Sequence, residues 1–132
     1  MPGETTEDDL SIPDTDRLFR RVPENQLEPL EDGSQRPSSS IFKHAELSVN
    51  IECLMIEQGR PPEDTLTGYP GNYLTSIVAR DVRAHGHPIV KCTKPPNDPA
   101  HGLVLGKKKN SFANAMLRSH QWIVPPPKLS SG

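Results

Sequence analysis

The sequence predicts an α+β fold: a small antiparallel sheet carrying one or two short helices, set between disordered termini. Three observations lead there. Fifteen prolines and nine glycines in 132 residues, with 33% hydrophobic residues, are too loop-rich for a helical bundle and leave material for one modest core. Short β-compatible runs recur along the chain, joined by connections too brief for parallel crossovers. One segment near the C-terminus, Ser111–His120, carries helical spacing. The organisation expected is a disordered acidic tail over 1–16, one domain over 17–127 and a second disordered tail over 128–132.

Residues 1–16 contain six acidic residues, no Lys or Arg and no apolar run, so they are expected neither to order by burial nor to form a secretory signal. Arg17–Val22, Arg-Leu-Phe-Arg-Arg-Val, is the first run with strand character, and Pro23 ends it. Pro23–Ser40 gathers prolines, Asp32-Gly33 and a serine run and reads as loop. Within it, Arg36-Pro37-Ser38-Ser39-Ser40 reads as local turn chemistry. In Ser48–Met55, Val49, Ile51 and Cys53 alternate with polar residues, which is the pattern of a half-buried strand.

Pro61-Pro62-Glu63-Asp64 opens a single helical turn that Gly68 and Pro70 stop. Asn72–Gly86 carries both periodicities and reads as a strand to about Val78 followed by a short helix, with Gly86 as its left-handed cap. His87–Thr93 and His101–Leu105 read as strands paired antiparallel across the proline-rich loop 94–100. Ser111 is the expected N-cap of the 111–120 helix, whose apolar face is Phe112, Ala115 and Met116. Trp122-Ile123-Val124 closes the fold as a short strand or arm before Pro125–Pro127.

Asn97-Asp98-Pro99-Ala100-His101, then Val104 and Gly106-Lys107-Lys108, with Arg36-Pro37-Ser38-Ser39 and Phe42 upstream, resembles a pattern in short uncharacterised bacterial and phage proteins. The resemblance spans most of residues 17–124. It implies a bacterial or phage origin and no activity.

Charge is divided unevenly. Residues 1–77 hold fifteen Asp and Glu against six Lys and Arg, a net −9, whereas residues 78–132 hold nine Lys and Arg against two Asp, a net +7. A basic half of this kind suits an anionic partner. Its densest point is Gly106-Lys107-Lys108-Lys109-Asn110-Ser111, where three ammonium groups and a hydroxyl stand at a helix start. Lys107, Lys108, Lys109 and Ser111 are therefore the candidate anion-binding residues. The segment is not a Walker A loop, because the glycine that should precede Gly106 is absent.

His101 is the candidate catalytic residue, as a general acid or base that Asp98 would orient. His85, His87 and His101 form the candidate metal trio, although Gly86 is expected to bend His85 and His87 apart, and no metal or other cofactor is expected. Cys53 and Cys92 lie in apolar stretches and are expected to stay reduced. No run reaches the roughly 20 apolar residues of a membrane span, so no membrane association and a cytoplasmic location are expected.

These features point to a non-enzymatic binding or accessory module whose basic C-terminal surface holds a protein partner or a polyanion such as nucleic acid. A small histidine-dependent hydrolase or transferase acting on a phosphate-containing substrate is one alternative. Membership of a toxin–antitoxin or defence pair is the other. The sequence leaves the oligomeric state open.

Overall fold

In the computed structural model, which describes residues 7–129, the chain builds a six-stranded antiparallel sheet from strands distant in sequence. The strands are β1 (Arg17–Pro23), β4 (Glu46–Ile51), β5 (Asn72–Val78), β6 (Ile89–Lys91), β7 (His101–Leu105) and β8 (Gln121–Val124), in the spatial order β6-β7-β4-β1-β5-β8. A separate hairpin pairs β2 (Leu27–Pro29) with β3 (Gln35–Pro37). Three helices complete the fold: α1 (Glu52–Glu57), α2 (Ala79–Ala84) and α3 (Asn110–Ser119). The α+β class and the antiparallel pairing agree with the sequence reading.

Register assigns side chains to the two faces. Leu18 lies opposite both Ile51 and Ile77, Leu47 opposite Val104, and Val104 opposite Ile89, so these buried residues share one face. Gly102 belongs to the same layer, opposite Val49. A Cβ there would run into Ile51 and stand 2.8 Å from the Val90 carbonyl, so only glycine lets the strands close. On the other face Asn50 lies opposite Phe19 and His101, and Ser48 opposite Leu103. This face is covered by α1 and the 3-10 turn Pro62–Leu66, to which Asn50 donates through Thr65 Oγ1 at 3.3 Å.

The strand to Val78, the following helix and Gly86 at φ 84° stand as the periodicity predicts. Three elements differ. The prolines of 23–40 suggest only loop, yet they end β1 and sit in both strands of the β2–β3 hairpin, whose turn uses Gly33 at φ 88°. The alternation of 48–55 stops at Ile51, because the Asp16 carboxylate accepts the Cys53 N–H at 2.8 Å and starts α1 there. The third helix begins at Asn110 with Lys109 at the cap, so Ser111 lies within its first turn and makes no capping bond.

The composition of residues 1–16 predicts a disordered tail, and this needs correction for 8–16. Ile12 is fully buried and joins the core. The Asp9 N–H donates to the Ile89 carbonyl at 2.8 Å, and the Asp16 carbonyl accepts the Ala79 N–H at 2.9 Å. Asp8 and Asp14 hold Arg83 at 2.9 and 2.7 Å. A single apolar anchor and a cation on α2 thus order a segment whose composition alone argues against it. The rest of that expectation, for residues 1–6 and 130–132, lies outside the described residues. Lys128 and Leu129 are described, and the Leu129 N–H donates to the Gly33 carbonyl at 2.7 Å.

Candidate functional site

A cleft of about 530 Å³ opens on the sheet face that carries Asn50 and His101. Strand alternation supplies its floor: Arg21 from β1, Ser48 and Asn50 from β4, and His101 from β7. The 60–69 loop and the 96–98 turn supply its walls. Arg60 follows the end of α1, where its N–H donates back to the Met55 carbonyl at 2.9 Å. Its guanidinium grips both oxygens of Asp98 at 2.8 and 2.9 Å, a bidentate fork, and reaches Asp64 at 3.5 Å. The Arg60 hydrogen bonds, with the Ala100 N–H in support, hold the Asp98 carboxyl at about 2. Asp98 is therefore an ionised brace at ordinary pH.

His101 shares the cleft with Asp98, but its Nδ1 lies 3.1 Å from the Cys92 carbonyl. A carbonyl only accepts, so Nδ1 is the donor of that bond. Arg21 rests its guanidinium 3.8 Å from the centre of the Tyr69 ring and donates to the Thr65 carbonyl at 3.1 Å. Among the described residues Arg21 has no ion pair with a carboxylate.

The lysine turn lies elsewhere. It follows β7, whose length separates His101 from Leu105 by roughly 13 Å at the usual strand rise. Lys108 points inward and is 7% exposed. Its ammonium donates to the carbonyls of His44, Ala45 and Val104 at 2.9, 3.2 and 2.8 Å, and to that of Gly106. Burial lowers its pKa to about 8, and the ring of carbonyl oxygens is what holds a charge there. Lys108 is thus withdrawn from any anion, whereas Lys107, Lys109 and Ser111 are exposed. The charge pattern places three equivalent cations in this turn, but one of them is internal structure.

The histidine trio does not assemble. His85 and His87 both make T-shaped ring contacts with Phe112, and the His87 Nδ1 lies 3.0 Å from the Leu105 carbonyl, at the end of β7 opposite His101. Among the described residues no three His, Cys, Asp or Glu side chains are grouped to hold a metal ion. Cys53 and Cys92 are both free thiols, and burial, followed by Asp16, pushes Cys53 up to about 11. A thiol held that high is a poor nucleophile. Among the described residues no helix is long and apolar enough to cross a membrane.

Sequence reasoning found His101 and Asp98 but missed Arg21, Asn50 and Arg60. The available signals were Arg20-Arg21 inside an apolar strand and the Ser48/Asn50 alternation on the polar side of the next. The arrangement offers a forked donor, an imidazole and amide groups in fixed positions, with the carboxylates committed to Arg60. No protein-family model matches this chain, and no curated protein or solved structure matches it either.

Proposed function

We propose that the chain is a non-enzymatic binding module that holds an anionic partner, and that the principal contact is the Arg21–His101 cleft. One observation carries this reading: Arg21, without an ion pair to a carboxylate among the described residues, stands in a walled cleft with Asn50 and His101. A guanidinium left in that state is matched to a carboxylate or phosphate group. Hydrolysis or group transfer has less support, because the Asp98 carboxylate, which would orient His101, is committed to Arg60. The exposed Lys107 and Lys109 extend the attraction and steer the partner from outside the cleft.

The test is titration of the full chain with a glutamate-rich peptide and with a short single-stranded oligonucleotide. Arg21→Ala should weaken the tighter of the two by about tenfold, as expected for loss of one charge-assisted contact. Lys107→Ala with Lys109→Ala should lower the salt dependence and leave most of the affinity. Binding that survives Arg21→Ala but disappears in the double lysine variant would return the function to the basic turn.

A further inference from the structure

Strands β1 and β4 pair through only two residue pairs, Leu18 with Ile51 and Phe19 with Asn50. Beyond Phe19 they part, and Arg20 occupies the gap. Its Nη1 donates to the Ser48 carbonyl at 3.2 Å, while its Nε is buried without a hydrogen-bond partner among the described residues. Among the described residues no carboxylate forms an ion pair with it. Burial, followed by the charge of Arg21, lowers the Arg20 pKa to about 10, a direction that reflects the lack of a counter-ion. A buried cation with incomplete compensation is costly to a fold, and an aliphatic residue would fill a strand gap without that cost.

Arg20 lines a cleft of about 500 Å³ together with Lys43, His44, Gln26 and Ser40. The lining contains three residues able to carry positive charge and no acidic residue. The polar groups are set in place. Ser40 Oγ donates to the Gln26 Oε1 at 2.8 Å, which orients the Gln26 amide with its nitrogen as the remaining donor, and Ser38 Oγ lies 3.0 Å from Ser40 Oγ. His44 has its pKa lowered by burial and then by the charges of Arg20 and Lys108. Arg20 and Lys43 thus bring positive charge to a lining that contains no carboxylate.

Register places Arg20 opposite Thr75, on the sheet face away from Arg21, which lies opposite Leu74. A small void of about 10 Å³ lies in the parted sheet, bordered by Arg20 on one side and by Arg21, Asn50 and His101 on the other. It is of the order needed for one water. The Arg20 cleft is therefore a separate mouth, not an extension of the Arg21–His101 cleft.

We propose that the Arg20 cleft is a second binding site, and that it takes a phosphate group, either as the free ion or as a phosphomonoester. A tetrahedral oxyanion presents acceptors in several directions at once, which suits donors arriving from Arg20, Lys43 and Gln26 around one concavity. The cleft is large enough to accept more than the ion alone, since small-molecule sites begin at about 300 Å³. The site does not depend on the function proposed for the other face.

The experiment titrates the full chain with inorganic phosphate and with glycerol phosphate at constant ionic strength, following the histidine ring resonances by NMR. His44 should shift on saturation while His101 stays in place. Lys43→Ala with His44→Ala, both at exposed positions, should weaken phosphate binding by about tenfold, followed in the backbone amide resonances of Gln26 and Ser40, and leave the melting temperature of the free protein unchanged. Arg20→Lys, which keeps a charge but loses the planar donor fork, should weaken it as well; Arg21→Ala should not. A shift at His101 instead of His44, or loss of binding in Arg21→Ala alone, would place the anion in the other cleft and overturn the proposal. So would unchanged affinity in the double variant, or the absence of any saturable shift in the parent chain. Glycerol phosphate binding at least as tightly as free phosphate identifies an ester ligand, and the reverse order identifies the free ion.

Discussion

Replacing Lys108 by methionine separates the structural role of the lysine turn from an anion-binding one. Methionine keeps the length and apolar stem but removes all three donors from a group that serves four backbone carbonyls, those of His44, Ala45, Val104 and Gly106. Those carbonyls belong to two segments far apart in sequence, the approach to β4 and the end of β7, which the ammonium ties together. Hydrogen bonds to a charged donor contribute about 1.5–3 kcal/mol each when counted singly. The four share three protons, and removing the cation also removes its desolvation cost, so the net loss should be about 2–4 kcal/mol. For a domain of this size 1 kcal/mol corresponds to roughly 3–5 °C, which puts the fall in melting temperature at about 6–20 °C. Thermal unfolding followed by circular dichroism, with a urea titration to obtain the free energy, measures it. Lys107→Glu with Lys109→Glu is the control and should change stability by no more than about 0.5 kcal/mol, because both side chains are exposed. A Lys108→Met protein melting within about 2 °C of the parent while losing affinity for a polyanion would refute the structural role.

Two further outcomes follow from the geometry. The Asp98 pKa is held at about 2 in the folded chain against roughly 3.9 unfolded, so its contribution to stability is complete above about pH 4 and is lost as pH falls toward 2; with the side chain 32% exposed this amounts to about 1–2 kcal/mol, and Asp98→Asn should flatten that limb of the stability curve, which an unchanged acid limb would contradict. Ile12→Ala should cost about 2–4 kcal/mol in urea unfolding, since Ile12 is fully buried in the core, and a negligible cost would mean that residues 8–16 contribute nothing to the fold.

The parts of the fold legible in the sequence are those decided within a few residues. The strand into Val78, the short helix after it and the left-handed Gly86 each rest on local periodicity and on the φ that glycine tolerates. The failures are places where a distant residue decides. Nothing between Ser48 and Met55 says that the alternation ends at Ile51, because the carboxylate that caps Cys53 belongs to Asp16. Nothing in the acidic opening says that it docks, because Ile12 finds its cover in the core and Asp8 and Asp14 find Arg83 on α2. Proline counts fail between Pro23 and Ser40 for a related reason: a two-stranded edge hairpin tolerates proline where a central strand would not.

The candidate site was half legible, and the missing half follows from what a charge count measures. Counting assigns nine cations to residues 78–132, but Arg83 is neutralised by Asp8 and Asp14, Lys91 lies 3.9 Å from Asp9, and Lys108 is consumed by carbonyls. Much of the apparent polarity of the chain is thus spent internally, with the acidic segment folded against the basic half. The acidic half, with only six Lys and Arg, supplies Arg20 and Arg21, neither of which forms an ion pair with a carboxylate among the described residues. They are neighbours on one strand, and the period of two sends them to opposite faces, each into a cleft. The surroundings of these two arginines share three properties: walls that exclude part of the solvent, no carboxylate paired with them among the described residues, and fixed donors alongside. Those properties depend on strand parity and on the parting of β1 from β4, which is why an Arg-Arg pair inside an apolar strand leads into two clefts while three consecutive lysines leave one buried ammonium and two exposed ones.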